Sequence, residues 1–168
     1  NPNAFFVASG TENESPPGIL KSTNAGISWA WSDSGIVLGS SGASVLALAI
    51  DPRQPDIMYA GTGGFFGGSL YKTVDGGRFW FRPGIVNDTN IGEIAIDPQQ
   101  PETLYCGTSG YGAVFVSRDA GITWDSTLWN VGSVGKMALD VFEPQRIYAL
   151  ISFQAGGPLA RTTDGGLT

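Results

Sequence analysis

The chain has 168 residues, enough for one domain with a sizeable core. Only 14% of them are charged, whereas glycine (25) and proline (10) are plentiful; this excludes a bundle of amphipathic helices and suits short strands joined by tight turns. A net charge of −6, with nine basic residues scattered singly, disfavours nucleic acid, and no apolar run approaches the roughly 18 residues needed to span a bilayer.

In chain order, Asn1-Pro2 and then Phe5-Phe6-Val7-Ala8 read as a turn and a strand, followed by a loop from Gly10 to Gly18. Next comes an eight-residue phrase, Ser22-Thr23-Asn24-Ala25-Gly26-Ile27-Ser28-Trp29. It returns as Thr73-Val74-Asp75-Gly76-Gly77-Arg78-Phe79-Trp80, as Ser117-Arg118-Asp119-Ala120-Gly121-Ile122-Thr123-Trp124, and as Thr162 to Thr168, which carries Asp164 and Gly166. Such spacing marks a repeat architecture.

Between these boxes a second phrase recurs. Val45 to Ile50 is a continuous apolar run, matched by Ile94-Ala95-Ile96 and Met137-Ala138-Leu139; continuous apolarity predicts strands buried on both faces. A turn follows each: Asp51-Pro52-Arg53-Gln54-Pro55, Asp97-Pro98-Gln99-Gln100-Pro101 and Asp140-Val141-Phe142-Glu143-Pro144. Proline fixes φ there and the aspartate bonds its own backbone. Second strands are predicted over 57–62, 103–108 and 146–152, third strands over 69–73 and 114–117, and a fourth, aromatic strand after each box. Burial decreasing from first strand to fourth is expected of a propeller blade from hub to rim. The fold class is therefore all-β: a partial β-propeller of about three and a half four-stranded antiparallel blades. The blades divide at 1–44 (without its inner strand), 45–90, 91–133 and 134–168 (without its outer strand). The remaining blades are expected from the same polypeptide or from another copy.

In the box, the Asp carboxylate (Asn24 in the first copy) accepts N–H bonds within its own turn. Gly26, Gly77, Gly121 and Gly166 supply a positive φ that a Cβ would disfavour. Trp29, Trp80 and Trp124 pack over the turns. One carboxylate per turn is too few for calcium, and no metal or cofactor is expected. The chain has no histidine, hence no ordinary neutral-pH base, and its single cysteine, Cys106, reads as a small buried hydrophobe. Two glycosylation sequons, at Asn13 and Asn87, hint at secretion, although Pro16 makes the first a poor acceptor.

The pattern Ser/Thr-x-Asp-x-Gly-x-Thr-Trp resembles the Asp-box, or BNR repeat, of β-propellers. The coupled Asp-Pro-x-x-Pro…Tyr-Ala-Gly-Thr phrase looks most like bacterial exo-proteins of the xyloglucanase-like and sortilin-like group. The resemblance implies a fold and an extracellular setting; it does not imply one activity. Sialidases in this family use an arginine triad preceded by an Arg-Ile-Pro signature, which is missing here. Xyloglucanase-type relatives use two acids across a cleft, and no residue of this chain maps onto that pair.

In an up-and-down blade the Pro turns and boxes share one face, short and structural. The opposite face carries the variable loops, where binding usually resides. Three of those loops, at 63–68, 109–112 and 153–158, set aromatics among glycines, giving Phe65, Phe66 and Tyr111 as candidate ligand-binding residues, and the fourth-to-first loops add Trp129 and Trp31. They either stack on a sugar or a partner's apolar group, or tuck over the core. Asp33, Asp88 and Asp125 would serve as an acid/base pair only if two of them faced each other across roughly 5–10 Å. The sequence thus reads as a secreted or cell-surface binding or scaffold module for glycan or protein, without catalytic residues in this segment. The alternative is a fragment of a polysaccharide hydrolase.

Overall fold

A computed structural model describes residues 3–9, 18–38, 43–65, 67–84, 89–109, 113–126, 132–152 and 159–166. They form thirteen strands in four antiparallel sheets. The first sheet is β1 (Phe5–Ser9), β2 (Gly18–Ser22) and β3 (Ala30–Trp31); the second is β4 (Ser44–Ile50), β5 (Met58–Gly63) and β6 (Leu70–Thr73). The third is β7 (Ile91–Ile96), β8 (Leu104–Thr108), β9 (Val114–Ser117) and β10 (Asp125–Ser126), and the fourth is β11 (Ser133–Leu139), β12 (Ile147–Ser152) and β13 (Leu159–Thr162). Each sheet runs in simple sequence order, the meander of a propeller blade. The second blade's expected outer strand, 79–82, contributes a single bridge from Phe81 to Lys72.

The core lies between blades. Ile19, Val45, Met58, Ala60, Tyr71 and Trp80 fill the first gap; Tyr59, Leu70, Ile91, Leu104 and Cys106 the second; Tyr105, Val116, Val134, Ile147 and Ile151 the third. One contact repeats in all three gaps. A small residue of one blade's second strand faces a β-branched residue of the next blade's inner strand. A Cβ on Gly61 would meet the Ile91 carbonyl at 2.6 Å, and one on Gly107 would meet Val134 at 2.7 Å. Ala8 and Val45 hold the corresponding places in the first gap. Each inner strand also shifts register at one place, after Val45, Ile91 and Val134, a bulge that sharpens its twist.

The burial gradient differs from expectation. All of β5 and β8 are buried, whereas the inner strands are mostly only partly buried, and Leu46 and Ile50 are half exposed. The middle strands are covered by neighbouring blades on both faces. The inner strands turn one side toward the hub, so an unbroken apolar run did not mean two buried faces.

Candidate functional site

The turn face is built from paired backbone turns. Asp51 Oδ1 accepts the amides of Arg53 and Gln54, Asp97 Oδ1 those of Gln99 and Gln100, and Asp140 Oδ1 those of Phe142 and Glu143. Each carboxylate closes its turn as an Asx residue. In the boxes, Asp75 Oδ1 accepts the amides of Arg78 and Phe79, Asp119 Oδ1 those of Ile122 and Thr123, and Asn24 Oδ1 that of Ser28. The hydroxyls of Ser22, Thr73, Ser117 and Thr162 accept the amides of Gly26, Gly77, Gly121 and Gly166. All four glycines have φ between 85° and 91°. The preceding residues are left-handed as well, including Ala25 and Ala120 at φ 59°.

The two turn types are tied together. The amides of Ala25, Gly76, Ala120 and Gly165 donate to the carbonyls of Asn3, Asp56, Glu102 and Gln145. Hydrogen bonds from its own box hold the carboxylate of Asp119 well below the usual range, at about 2, with the Thr123 hydroxyl the largest cause. Asp75 is lowered in the same way, chiefly by the Thr73 hydroxyl.

Trp29 and Trp124 fold back so that each indole N–H donates to the carbonyl of its own box glycine. Trp80 departs from the expectation that it caps its turn. It is wholly buried in the first gap, and its indole donates to the Ser32 carbonyl at 2.6 Å. Its box has Phe79 where the others have Ser28 and Thr123, whose hydroxyls bond the Asn24 and Asp119 side chains.

Two concavities lie among these turns. The larger, about 890 Å³, runs across the second, third and fourth blades and is lined by Asp51, Arg53, Tyr59, Lys72, Asp97, Glu102, Tyr105, Arg118 and Gly165, among others. The smaller, about 470 Å³, lies between the first two boxes and holds Lys21, Trp29, Trp31, Asp33 and Arg78. The turn face is therefore not merely short and structural. Blades diverge from the hub, which leaves wedges between neighbouring turn pairs. Arg53 reaches across to the carbonyls of Pro98 and Gln99, and Gln99 in turn reaches those of Val141 and Phe142. Lys72 donates to the Ala120 carbonyl over the Tyr59 ring, and burial, the largest influence on it, lowers its pKa. Burial raises Tyr59 and Tyr105 above the usual tyrosine value.

Of the candidate aromatics, Phe65 stands on the loop between β5 and β6 at 90% exposure, so it does not tuck over the core. Trp31 lies in the rim strand β3, half exposed, with its ring against Gly18, and not in a loop as expected. Phe66, Tyr111 and Trp129 fall outside the described residues, as do Asp88 and both sequon asparagines. Asp33 packs against the Gly18 backbone on the first blade, while Asp125 pairs with Arg118 on the third. The structure does not bring those two acids together. Cys106 is fully buried, and burial pushes its thiol up, away from a reactive thiolate. The lysine–aromatic pairs went unread in the sequence. The signal was there, since Lys21 and Lys72 each immediately precede a box and Phe6, Tyr59 and Tyr105 recur in register.

No protein-family model and no curated protein matches this sequence. Solved structures do match. An ancestral GH74 enzyme superposes with a TM-score of 0.77 at 22% identity, over 98% of this chain and 22% of its own. The GH74 enzyme of Niastella koreensis gives 0.76 at 22% identity, over 97% of this chain and 27% of its own. YCF48 bound to a D1 peptide gives 0.56 at 17% identity, over 80% of this chain and 44% of its own. At these identities the likeness is one of fold, and it places the chain among propellers. The chain spans about a quarter of the length of the two GH74 enzymes.

Proposed function

We propose that this chain is a segment of an Asp-box propeller, secreted or displayed at a cell surface, that binds a glycan or a protein and performs no catalysis in this segment. The observation that carries the reading is Phe65, an almost fully exposed aromatic on a glycine-flanked loop of the face opposite the boxes. An exposed ring on a rigid blade gives flat apolar area for a sugar ring or a partner's side chain at little entropic cost. Trp31, half exposed beside the smaller hollow, offers a second platform. Phe66, Tyr111 and Trp129 belong to the same proposal by their place in the sequence. The four box turns, with their carboxylate or carboxamide acceptors and left-handed glycines, support membership of the Asp-box group. YCF48, solved with a peptide, is a precedent for a propeller that binds protein.

The test is retention of the chain in gels cast with xyloglucan, mixed-linkage β-glucan or sialylated glycan. Retardation in one polymer should be lost in the Phe65→Ala, Trp31→Ala double variant. Retardation unchanged by both substitutions would remove these residues from the site. The second reading, a piece of a polysaccharide-degrading glycoside hydrolase, is favoured by the fold likeness to the GH74 enzymes. Reducing-end release from xyloglucan by the longest available form of the protein would support it and turn attention to acids contributed by other blades.

A further inference from the structure

The gaps between blades follow a rule that one of them breaks. In the first gap, Lys21 lies 5.1 Å above the Phe6 ring and donates to the Gly76 carbonyl of the next box at 2.6 Å. In the second, Lys72 lies 5.3 Å above the Tyr59 ring and donates to the Ala120 carbonyl at 3.3 Å, and the Tyr59 hydroxyl reaches the same oxygen. Strand register aligns these pairs: Phe6 is opposite Lys21, Tyr59 opposite Lys72, Tyr105 opposite Val116 and Tyr148 opposite Arg161. The third gap therefore keeps the aromatic, Tyr105, and the box carbonyl, Gly165, but has valine where the cation should be. Among the described residues no amine donates to Gly165, and this end of the gap opens into the larger groove, beside Asp97 and Asp164.

We propose that the third gap binds one lysyl side chain of a peptide partner, whose ammonium takes the place that Lys21 and Lys72 fill in the other gaps. The ammonium lies over Tyr105 and donates to the Gly165 carbonyl. Arg118 and, less strongly, Asp97 both act on the Tyr105 hydroxyl; Asp97 supplies the opposing charge while its Oδ1 keeps the Gln99 and Gln100 amides. Three features mark the site: Tyr105, 3% exposed and reached only where it borders the groove, a box-turn carbonyl, and carboxylates along a groove that also holds Arg53, Lys72 and Arg118. The opposing group is Arg118, whose guanidinium also acts on Tyr105 but is drawn toward Asp125 at 3.5 Å. The site is on the opposite face from Phe65 and does not depend on the loop-face reading.

The experiment is titration of the isotopically labelled chain with acetyl-Ala-Lys-Ala-amide and, separately, with its glutamine counterpart, followed by backbone amide shifts. Saturable shifts centred on Tyr105, Asp164 and Gly165 are expected with the lysyl peptide and not with the glutaminyl one. Val116→Lys should weaken binding at least about tenfold by filling the site from within. Ile27→Lys, which adds the same charge on the first blade, should leave binding unchanged. Arg118→Gln, a substitution at an exposed position that spares the core, should tighten binding a few fold. Shifts that do not saturate, equal response to both peptides, binding that survives Val116→Lys, or weaker binding in Arg118→Gln would each overturn the proposal.

Discussion

At the residue scale the box turn is held by a hydroxyl and, in the first three copies, by an Asp or Asn side-chain oxygen, and the ionisation of the carboxylate is linked to folding. Asp119 titrates at about 2 in the folded chain, from an ordinary value of 3.8. A depressed folded value means the carboxylate adds stability above its unfolded value, and this is lost as pH falls through the folded one. The melting temperature should therefore drop between about pH 4 and pH 2. Asp119→Asn should flatten that drop, because Asn24 shows that a carboxamide oxygen can accept the same amide bond. A melting curve against pH for both proteins checks this. Ala120, at φ 59° where Gly76 and Gly165 stand in sister boxes, carries avoidable strain. Ala120→Gly should raise stability by up to about 1 kcal/mol in urea unfolding, the relief of a left-handed Cβ outweighing the added freedom of the unfolded chain.

Elements with one sequence signature took different structural roles. Trp80 and Trp124 hold the same position in their boxes, yet Trp80 is buried within the first gap, whereas Trp124 covers its own turn and packs only partly buried against the edge of the second. Trp80→Ala should cost about 3–5 kcal/mol, from a large buried cavity and a lost bond to Ser32. Trp124→Ala, partly exposed, should cost about 1–2 kcal/mol. Equal losses in chemical denaturation would contradict the structural difference. The turns and middle strands were legible because their residue chemistry is local: an Asx carboxylate, a proline φ, a left-handed glycine. The loss of most of the second blade's outer strand was not legible. A strand needs a neighbour, and in this segment only Phe81 finds one, bridging to Lys72. The inner strands misled for a similar reason, since apolar residues can face a hub as readily as a core.

For the whole molecule, the unit of stability is the gap between blades, so gap opening and global unfolding should coincide. Cys106 reports on this from the second gap. Its labelling by a thiol reagent should be negligible in the native chain and should rise with urea along the global unfolding curve. Labelling at a rate independent of urea would mean that the second gap opens locally, while the sheets stay folded.

What the sequence determined by itself was the repeat, the all-β class and the register of turn and box. Each follows from short-range chemistry repeated along the chain. Only the tertiary structure decided which aromatic enters a gap, which lysine reaches the next box, and that the larger described concavity lies on the turn face. Those outcomes depend on residues brought together from different blades. Val116 is unremarkable in the sequence and becomes informative only when Lys21 and Lys72 are seen in the same place in the other gaps.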